Sequence, residues 1–123
     1  MKHLLTTALL ALVLTMTAHA AEGQYRHVVL FKFKADTTPA QVKEVEDAFR
    51  TLSTKVPTIV DFEYGTDVSP EGKAQGFTHC FLVTFKDKAG LEVYLPHPAH
   101  DEFKKIGGPH FEKVLVIDFV AKK

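Results

Sequence analysis

Two histidines and a tyrosine lie within seven residues in the segment Tyr94-Leu-Pro-His-Pro-Ala-His100. Proline fixes φ and cannot extend a helix beyond its first turn, so we expect Pro96 to end one helix and Pro98 to begin the next. The bend could direct Tyr94 and His100 at one point from two short helices. An imidazole that titrates near neutral pH, beside a phenol, would suit acid–base chemistry there. The same bend could also form a packed corner.

Two further histidines lie on predicted β-strands. Residues 25–34 and 77–86 are rich in β-branched and aromatic side chains, which is the composition of strands. Because successive side chains alternate between faces, the odd positions place His27 on one aromatic face and His79 on another. A single histidine on an apolar face is usually a hydrogen-bonded core residue. Two such histidines, together with the segment 94–100, favour a functional site over two core residues.

The remaining elements indicate how such a site is held. Thr38 is a good N-cap, Pro39 suits the first helical position, and Gln41 completes a capping box, so a helix is expected from there to Pro57. Further elements are predicted as strands at 58–65 and 111–120 and as short helices at 88–95 and from 98 to about 106. The order β-α-β-β-α-β predicts a ferredoxin-like α+β fold: a four-stranded antiparallel sheet with helices on one face.

The strand at 25–34 is apolar on both faces in its middle. A sheet that is apolar on both faces must be covered twice. Helices could cover one face and a second copy of the chain the other, with Val28 and Leu30 at that interface. Asp118 stands inside the apolar last strand, and we interpret it as a hydrogen-bonded strand residue in preference to a catalytic base.

Residues 1–20 have the pattern of a secretory signal peptide. Lys2 and His3 precede an apolar run that is too short for a membrane span, and Ala18-His-Ala20 supplies the small residues of a cleavage site. An N-terminal anchor helix or a buried strand is the alternative. We expect cleavage after Ala20, a periplasmic or secreted location without a membrane attachment, and one domain over residues 21–123.

Composition excludes several classes of protein. The chain has 15 basic and 15 acidic residues, without a basic run, which argues against a nucleic-acid partner. Cys80 is the single cysteine, so no intramolecular disulfide is possible; we expect it to be a small buried residue, with an intermolecular bridge as the alternative. The histidines could in principle converge on a metal, but no acidic residue accompanies them at ligand spacing, so we predict neither a metal nor a cofactor.

Several stretches together resemble the stress-responsive A/B-barrel domain (Dabb) family, in order and over nearly all of residues 21–123. They are His27-Val-Val-Leu-Phe-Lys-Phe-Lys34, Pro57 with Ile59, Gly65-Thr-Asp67, Gly76-Phe-Thr-His79, Val83-Thr-Phe85, Tyr94 with His97-Pro-Ala-His100, and Val116-Ile-Asp-Phe119. The resemblance implies a ferredoxin-like protomer that forms a homodimer through its sheet, giving an α/β-barrel. It also implies a pocket between sheet and helices.

The family includes a plant polyketide cyclase that closes a ring by aldol condensation. The resemblance implies that Tyr94 and His100 are placed like a tyrosine and a histidine that line its pocket, and that His27 and His79 lie in the same pocket. The expected function is a small exported dimer, related to stress, whose cavity holds a small apolar ligand. The alternative is a cofactor-independent lyase or cyclase acting on a carbonyl compound, with His100 as base and Tyr94 as hydrogen-bond donor. The expected ligand-binding residues are His27, Val29, Phe31, His79, Phe81 and His97.

Overall fold

The computed structural model describes residues 23–123, so the expected signal peptide and its cleavage site lie outside the described part of the chain. Four strands and three α-helices form the fold. They are β1 (Tyr25–Phe33), α1 (Pro39–Lys55), β2 (Ile59–Thr66), β3 (His79–Phe85), α2 (Lys88–Tyr94), α3 (Pro98–Gly107) and β4 (Phe111–Val120), with a short 3₁₀ turn (Gly108–His110) before the last strand.

The four strands form one antiparallel sheet in the order β2-β3-β1-β4. The first and last strands of the chain therefore pair directly, and the helices α1, α2 and α3 pack against one face. This arrangement confirms the predicted ferredoxin-like α+β fold. The two short helices predicted at 88–95 and from 98 to about 106 are present as α2 and α3, separated at Pro96–Pro98, where proline interrupts the helical hydrogen bonds.

Helix α1 begins where the sequence predicts. The N–H of Gln41 donates to the Thr38 hydroxyl at 3.2 Å, and the N–H of Thr38 donates to the Gln41 side chain at 2.9 Å, which is a complete capping box. Its apolar stripe is buried against the sheet, where the ring of Phe49 stacks on Phe81 of β3 with centroids 4.4 Å apart. The helix thereby closes one side of the core.

A bulge in β2 corrects one expectation. Ile59 pairs with Phe85 whereas Asp61 pairs with Thr84, so Val60 is an extra residue in the strand. Ile59 consequently packs against the core. Strict alternation along the strand predicted at 58–65 places Ile59 and Asp61 on one face; this prediction is wrong, because the bulge shifts the alternation by one position.

The helices leave β4 uncovered. Val114 and Val116 lie on the helix-facing side of β4, opposite Phe31 and Val29 of β1, yet each is 49% exposed. The side of the sheet that faces away from the helices is also apolar; we call it the open face. Its apolar part is formed by Val28, Leu30, Cys80, Leu82, Leu115, Ile117 and Phe119.

Cys80 is exposed on the open face, so the prediction that it is buried is wrong for the single chain. None of the helices in residues 23–123 combines the length and apolar character needed to cross a membrane.

Candidate active site

A cavity of about 570 Å³ opens where the helices stop short of β4. Its floor is formed by the helix-facing sides of β1 and β4, and α2 and α3 form its wall. The lining residues are His27, Val29, Phe31, Phe49, Tyr94, Leu95, His100, Phe103, Lys104, Gly108, Phe111, Val114, Val116 and Asp118. The predicted pair Tyr94 and His100 is therefore brought together in one cavity, with three of the predicted ligand-binding residues.

The proline bend sets the geometry of this pair. Tyr94 is the last residue of α2, and His100 lies in the first turn of α3. Their ring centroids are 4.6 Å apart with an angle of 40° between the planes. Two short helices that meet at Pro96–Pro98 thus direct both rings into the same space.

The ring of His100 has a defined tautomer. Its Nδ1 lies 2.9 Å from the carbonyl oxygen of Leu95, which can only accept a hydrogen bond. Nδ1 therefore carries the proton, and in the neutral ring Nε2 keeps a lone pair. Burial lowers the pKa of His100 below its ordinary value, which favours this neutral form at neutral pH. His100 is consequently prepared to accept a proton through Nε2.

The Tyr94 side chain is 1% exposed, and burial raises the pKa of its phenol. It therefore stays protonated at neutral pH and can donate a hydrogen bond. Within residues 23–123 its hydroxyl has no hydrogen-bond partner, yet no polar side-chain atom in this part of the chain is both fully buried and unpaired. The hydroxyl therefore has access to the space of the cavity and can donate to a ligand there.

A second histidine, His27, is held by an acidic residue that the sequence interpretation did not assign to the site. Nδ1 of His27 lies 2.6 Å from Oδ1 of Asp118, and the Tyr25 hydroxyl donates to the other carboxylate oxygen at 3.1 Å. The expectation that Asp118 is a hydrogen-bonded strand residue agrees with this geometry, but its carboxylate also lines the cavity. Only the pairing of β1 with β4 could have located it.

Aromatic and branched side chains of β1 and β4 form most of the floor. Phe111 stacks on Phe31 with ring centroids 3.9 Å apart. Gly107 permits this close approach, because a Cβ there would lie 2.7 Å from the Phe111 ring. Val114 and Val116 continue the apolar surface along β4. A ligand would accordingly meet a largely apolar floor that also carries His27 and Asp118, and the Tyr94 and His100 rings on the helix side.

Three predicted ligand-binding residues lie elsewhere. Phe81 is fully buried in the core under α1. His97 is the N-cap of α3, where its Nδ1 accepts from the N–H of Ala99 at 3.0 Å. His79 contacts the Thr78 hydroxyl at 2.8 Å and borders a separate hollow of about 400 Å³ beside the β2–β3 connection. The structure thus separates these three residues from the cavity that holds His27, Val29 and Phe31.

The side chains that could ligate a metal do not assemble in the described residues, where no three of His, Cys, Asp and Glu come together with suitable spacing. What the cavity does hold is a neutral base, a phenol donor and a carboxylate-held imidazole. Such a set can move protons and stabilise a developing negative charge on oxygen.

The sequence profile of the Stress responsive A/B Barrel Domain, Dabb, matches residues 25–121. The chain belongs to this family. The resemblance seen in the sequence motifs is thereby confirmed, and it covers all four strands of the Dabb fold described above.

Two curated relatives are similar over most of the Dabb domain. The Stress-response A/B barrel domain-containing protein HS1 of Arabidopsis thaliana is 38% identical over 99 residues, covering 80% of this chain and 91% of that protein. Olivetolic acid cyclase of Cannabis sativa is 33% identical over 98 residues, covering 80% of this chain and 97% of that protein. The Dabb family thus contains both a stress-response protein and a named cyclase.

Solved structures agree with the fold. The hydroxynitrile lyase from Passiflora edulis has a TM-score of 0.77 and 27% identity, covering 83% of this chain and 96% of that one. A dimeric ferredoxin-like protein of unknown function from Jannaschia has a TM-score of 0.69 and 25% identity, covering 79% of this chain and 98% of that one.

Proposed function

We propose that this chain is a cofactor-independent enzyme of the lyase or cyclase type, which binds a small apolar carbonyl compound and moves a proton at the carbon next to the carbonyl. The observation that carries this proposal is the shared cavity of Tyr94 and His100, whose rings are 4.6 Å apart. A binding protein needs only the apolar wall. A neutral imidazole with its Nδ1 proton fixed, beside an unpartnered phenol, is what proton abstraction requires in addition.

The reaction follows from the protonation states. Nε2 of His100 takes the proton from the carbon, and the electron pair of the C–H bond moves through the carbonyl carbon to the oxygen. The Tyr94 hydroxyl donates a hydrogen bond to that oxygen, which is worth more in an apolar cavity than in water. The enolate carbon then recovers the proton from His100, or it attacks a second carbonyl of the same molecule, whose π electron pair moves to its oxygen; that alkoxide takes the proton from His100. His27, held by Asp118, orients the bound compound.

Named relatives support this class of chemistry. A cyclase and a hydroxynitrile lyase share the fold at 33% and 27% identity, and neither name implies the same substrate as the other. The substrate of this chain is therefore proposed only as a class: a carbonyl compound small enough for a cavity of about 570 Å³.

Deuterium exchange tests the proposal without knowledge of the natural substrate. In D₂O, the protein should accelerate loss of the α-proton signals of 4-phenylbutan-2-one, followed by ¹H NMR. His100→Ala should reduce the protein-dependent rate about 100-fold or more, as expected for loss of a general base. His110→Ala is a matched control, because His110 does not line the cavity. Exchange at the buffer rate with the unmodified protein would refute the enzymatic function.

A second function is favoured by one observation. The relative with 38% identity is named for stress response, and its name contains no reaction. In that case the cavity would hold a small apolar ligand without turnover. If 4-phenylbutan-2-one shifts the NMR resonances of residues that line the cavity but its α-protons do not exchange, a ligand-binding function would be favoured over an enzymatic one.

Assembly and location belong to the same proposal. We infer that two copies pair through the open face, giving a dimeric barrel, because that face is apolar and a relative with 25% identity is described as dimeric. We also infer export with cleavage after Ala20, which rests on the sequence pattern of residues 1–20.

A further inference from the structure

Lys104 gives the cavity a cationic side chain. Among the lining residues in the described part of the chain, it is the single lysine or arginine. The other lining groups are apolar apart from the two histidines, the tyrosine and Asp118. A cation beside an otherwise apolar cavity indicates what kind of group a bound compound could carry at that end.

Helix α3 places Lys104 on the same side as the base. His100 and Lys104 are four residues apart in a helix that runs from Pro98 to Gly107, so their Cβ atoms lie on one helical face about 6 Å apart. Burial, and in addition the charge of Lys104, lowers the pKa of His100, which agrees with this proximity. An anionic group about one helical turn from a carbonyl bound at His100 would therefore come within reach of the Lys104 side chain.

The acidic groups nearby leave Lys104 available. Asp118 is already bound by His27 and Tyr25. Asp101 lies 3.4 Å from the Lys104 ammonium, but the side chains are 57% and 58% exposed. Exposed pairs of this kind contribute little free energy, so an anion bound in the cavity can share or replace the contact.

We propose that the cavity selects carbonyl compounds that carry a carboxylate about one helical turn from the reacting carbonyl, and that Lys104 binds this carboxylate. The inference rests on the proposed function, since it assumes that the carbonyl lies beside Tyr94 and His100. It adds the chemical class of the substrate, a keto acid with an apolar body, and a residue that determines specificity.

A pair of matched compounds tests the role of Lys104. 4-Oxo-4-phenylbutanoate and its methyl ester have the same aryl ketone and differ in the charge at the far end. Isothermal titration calorimetry should give a Kd up to about fivefold lower for the acid, the range of an ion pair with an exposed partner. Lys104→Gln should abolish this preference and leave the Kd of the ester unchanged. Lys105→Gln is the control, because Lys105 is exposed on the same helix and does not line the cavity.

The outcomes separate the two proposals. Equal Kd values for acid and ester, or an equal loss with Lys104→Gln and Lys105→Gln, would overturn the role of Lys104 while leaving the proposed function in place. Failure of both compounds to bind, together with no deuterium exchange of the neutral ketone, would refute the proposed function and this inference with it. Asp101→Asn should lower the Kd of the acid below its value for the unmodified protein, because it removes the carboxylate that competes for Lys104.

Discussion

Nδ1 of His27 lies 2.6 Å from Oδ1 of Asp118, although the two residues are 91 positions apart in the chain. They are direct partners in the antiparallel pairing of β1 with β4. The His27 side chain is 7% exposed and that of Asp118 is 26% exposed, so the contact lies at the edge of the core. A carboxylate can only accept, which places the proton on Nδ1 and leaves Nε2 of neutral His27 as an acceptor. The contact thus fixes both the orientation of the His27 ring and its tautomer.

Asp118→Ala should destabilise the fold by about 1–2 kcal/mol, because it leaves the buried Nδ1 of His27 without its partner. Asp118→Asn should cost less, since the amide oxygen can still accept. Asp61→Ala, at an exposed position of β2, is the control and should change the free energy of unfolding by less than about 0.5 kcal/mol. Urea unfolding of the three variants measures this. Equal stability of Asp118→Ala and Asp61→Ala would show that the contact contributes nothing.

The fold was predictable because its signals are local. The capping box at Thr38 and Gln41 is satisfied within four residues. In β1, buried residues alternate with less buried ones, as the sequence pattern predicts. The exception is Ile59, where a bulge shifted the faces. A bulge depends on the pairing partner, so alternation in one strand does not reveal it.

The cavity was only partly predictable, because it depends on which strands are neighbours. Tyr94 and His100 are close in sequence and were identified by their spacing. Asp118 joins the cavity only through the pairing of β4 with β1. Lys104 was missed although it follows His100 by one helical turn, and that spacing could have revealed it. His97 was misleading, because its ring serves as a helix cap.

Low pH should weaken the protein through two histidines. Burial lowers the pKa of His100 and of His79 in the folded state below the ordinary value of 6.5. Their neutral forms therefore contribute stability that is complete above about pH 6.5 and is lost as the pH falls through the lowered values. Urea unfolding at pH 7.5 and pH 5.0 should show that His100→Gln, like His79→Gln, loses less stability than the unmodified protein. A pH dependence identical in all three proteins would contradict this.

Leu30→Glu should convert the proposed dimer to a monomer. Leu30 lies in the middle of the open face, and a glutamate buried there in an interface costs several kcal/mol unless a partner compensates it. Val68→Glu is the control, since Val68 is 89% exposed in the β2–β3 connection. Light scattering measures the mass of each variant. A monomeric unmodified protein, or an unchanged dimer with Leu30→Glu, would refute the assignment of the interface.

Ala18→Leu combined with Ala20→Leu should block the proposed cleavage, because the site requires small residues. The variant should retain residues 1–20, whereas the unmodified protein should begin at Ala21 when recovered from the periplasm. N-terminal sequencing distinguishes the two. An unmodified protein recovered with Met1 still present would remove the case for a cleaved signal.

Tyr94→Phe should affect exchange far more than folding. Tyr94 lines the cavity and no buried polar side-chain atom in residues 23–123 depends on its hydroxyl being paired, so removal of the hydroxyl should change the free energy of unfolding by less than about 1 kcal/mol. If the hydroxyl donates to the oxygen that gains charge, its loss should slow exchange of 4-phenylbutan-2-one about 100-fold. Thermal melting and ¹H NMR on the same sample give both quantities. His100→Ala should likewise melt near the unmodified protein while losing exchange. Strong destabilisation of both variants, with exchange per folded molecule unchanged, would assign Tyr94 and His100 to packing and not to catalysis.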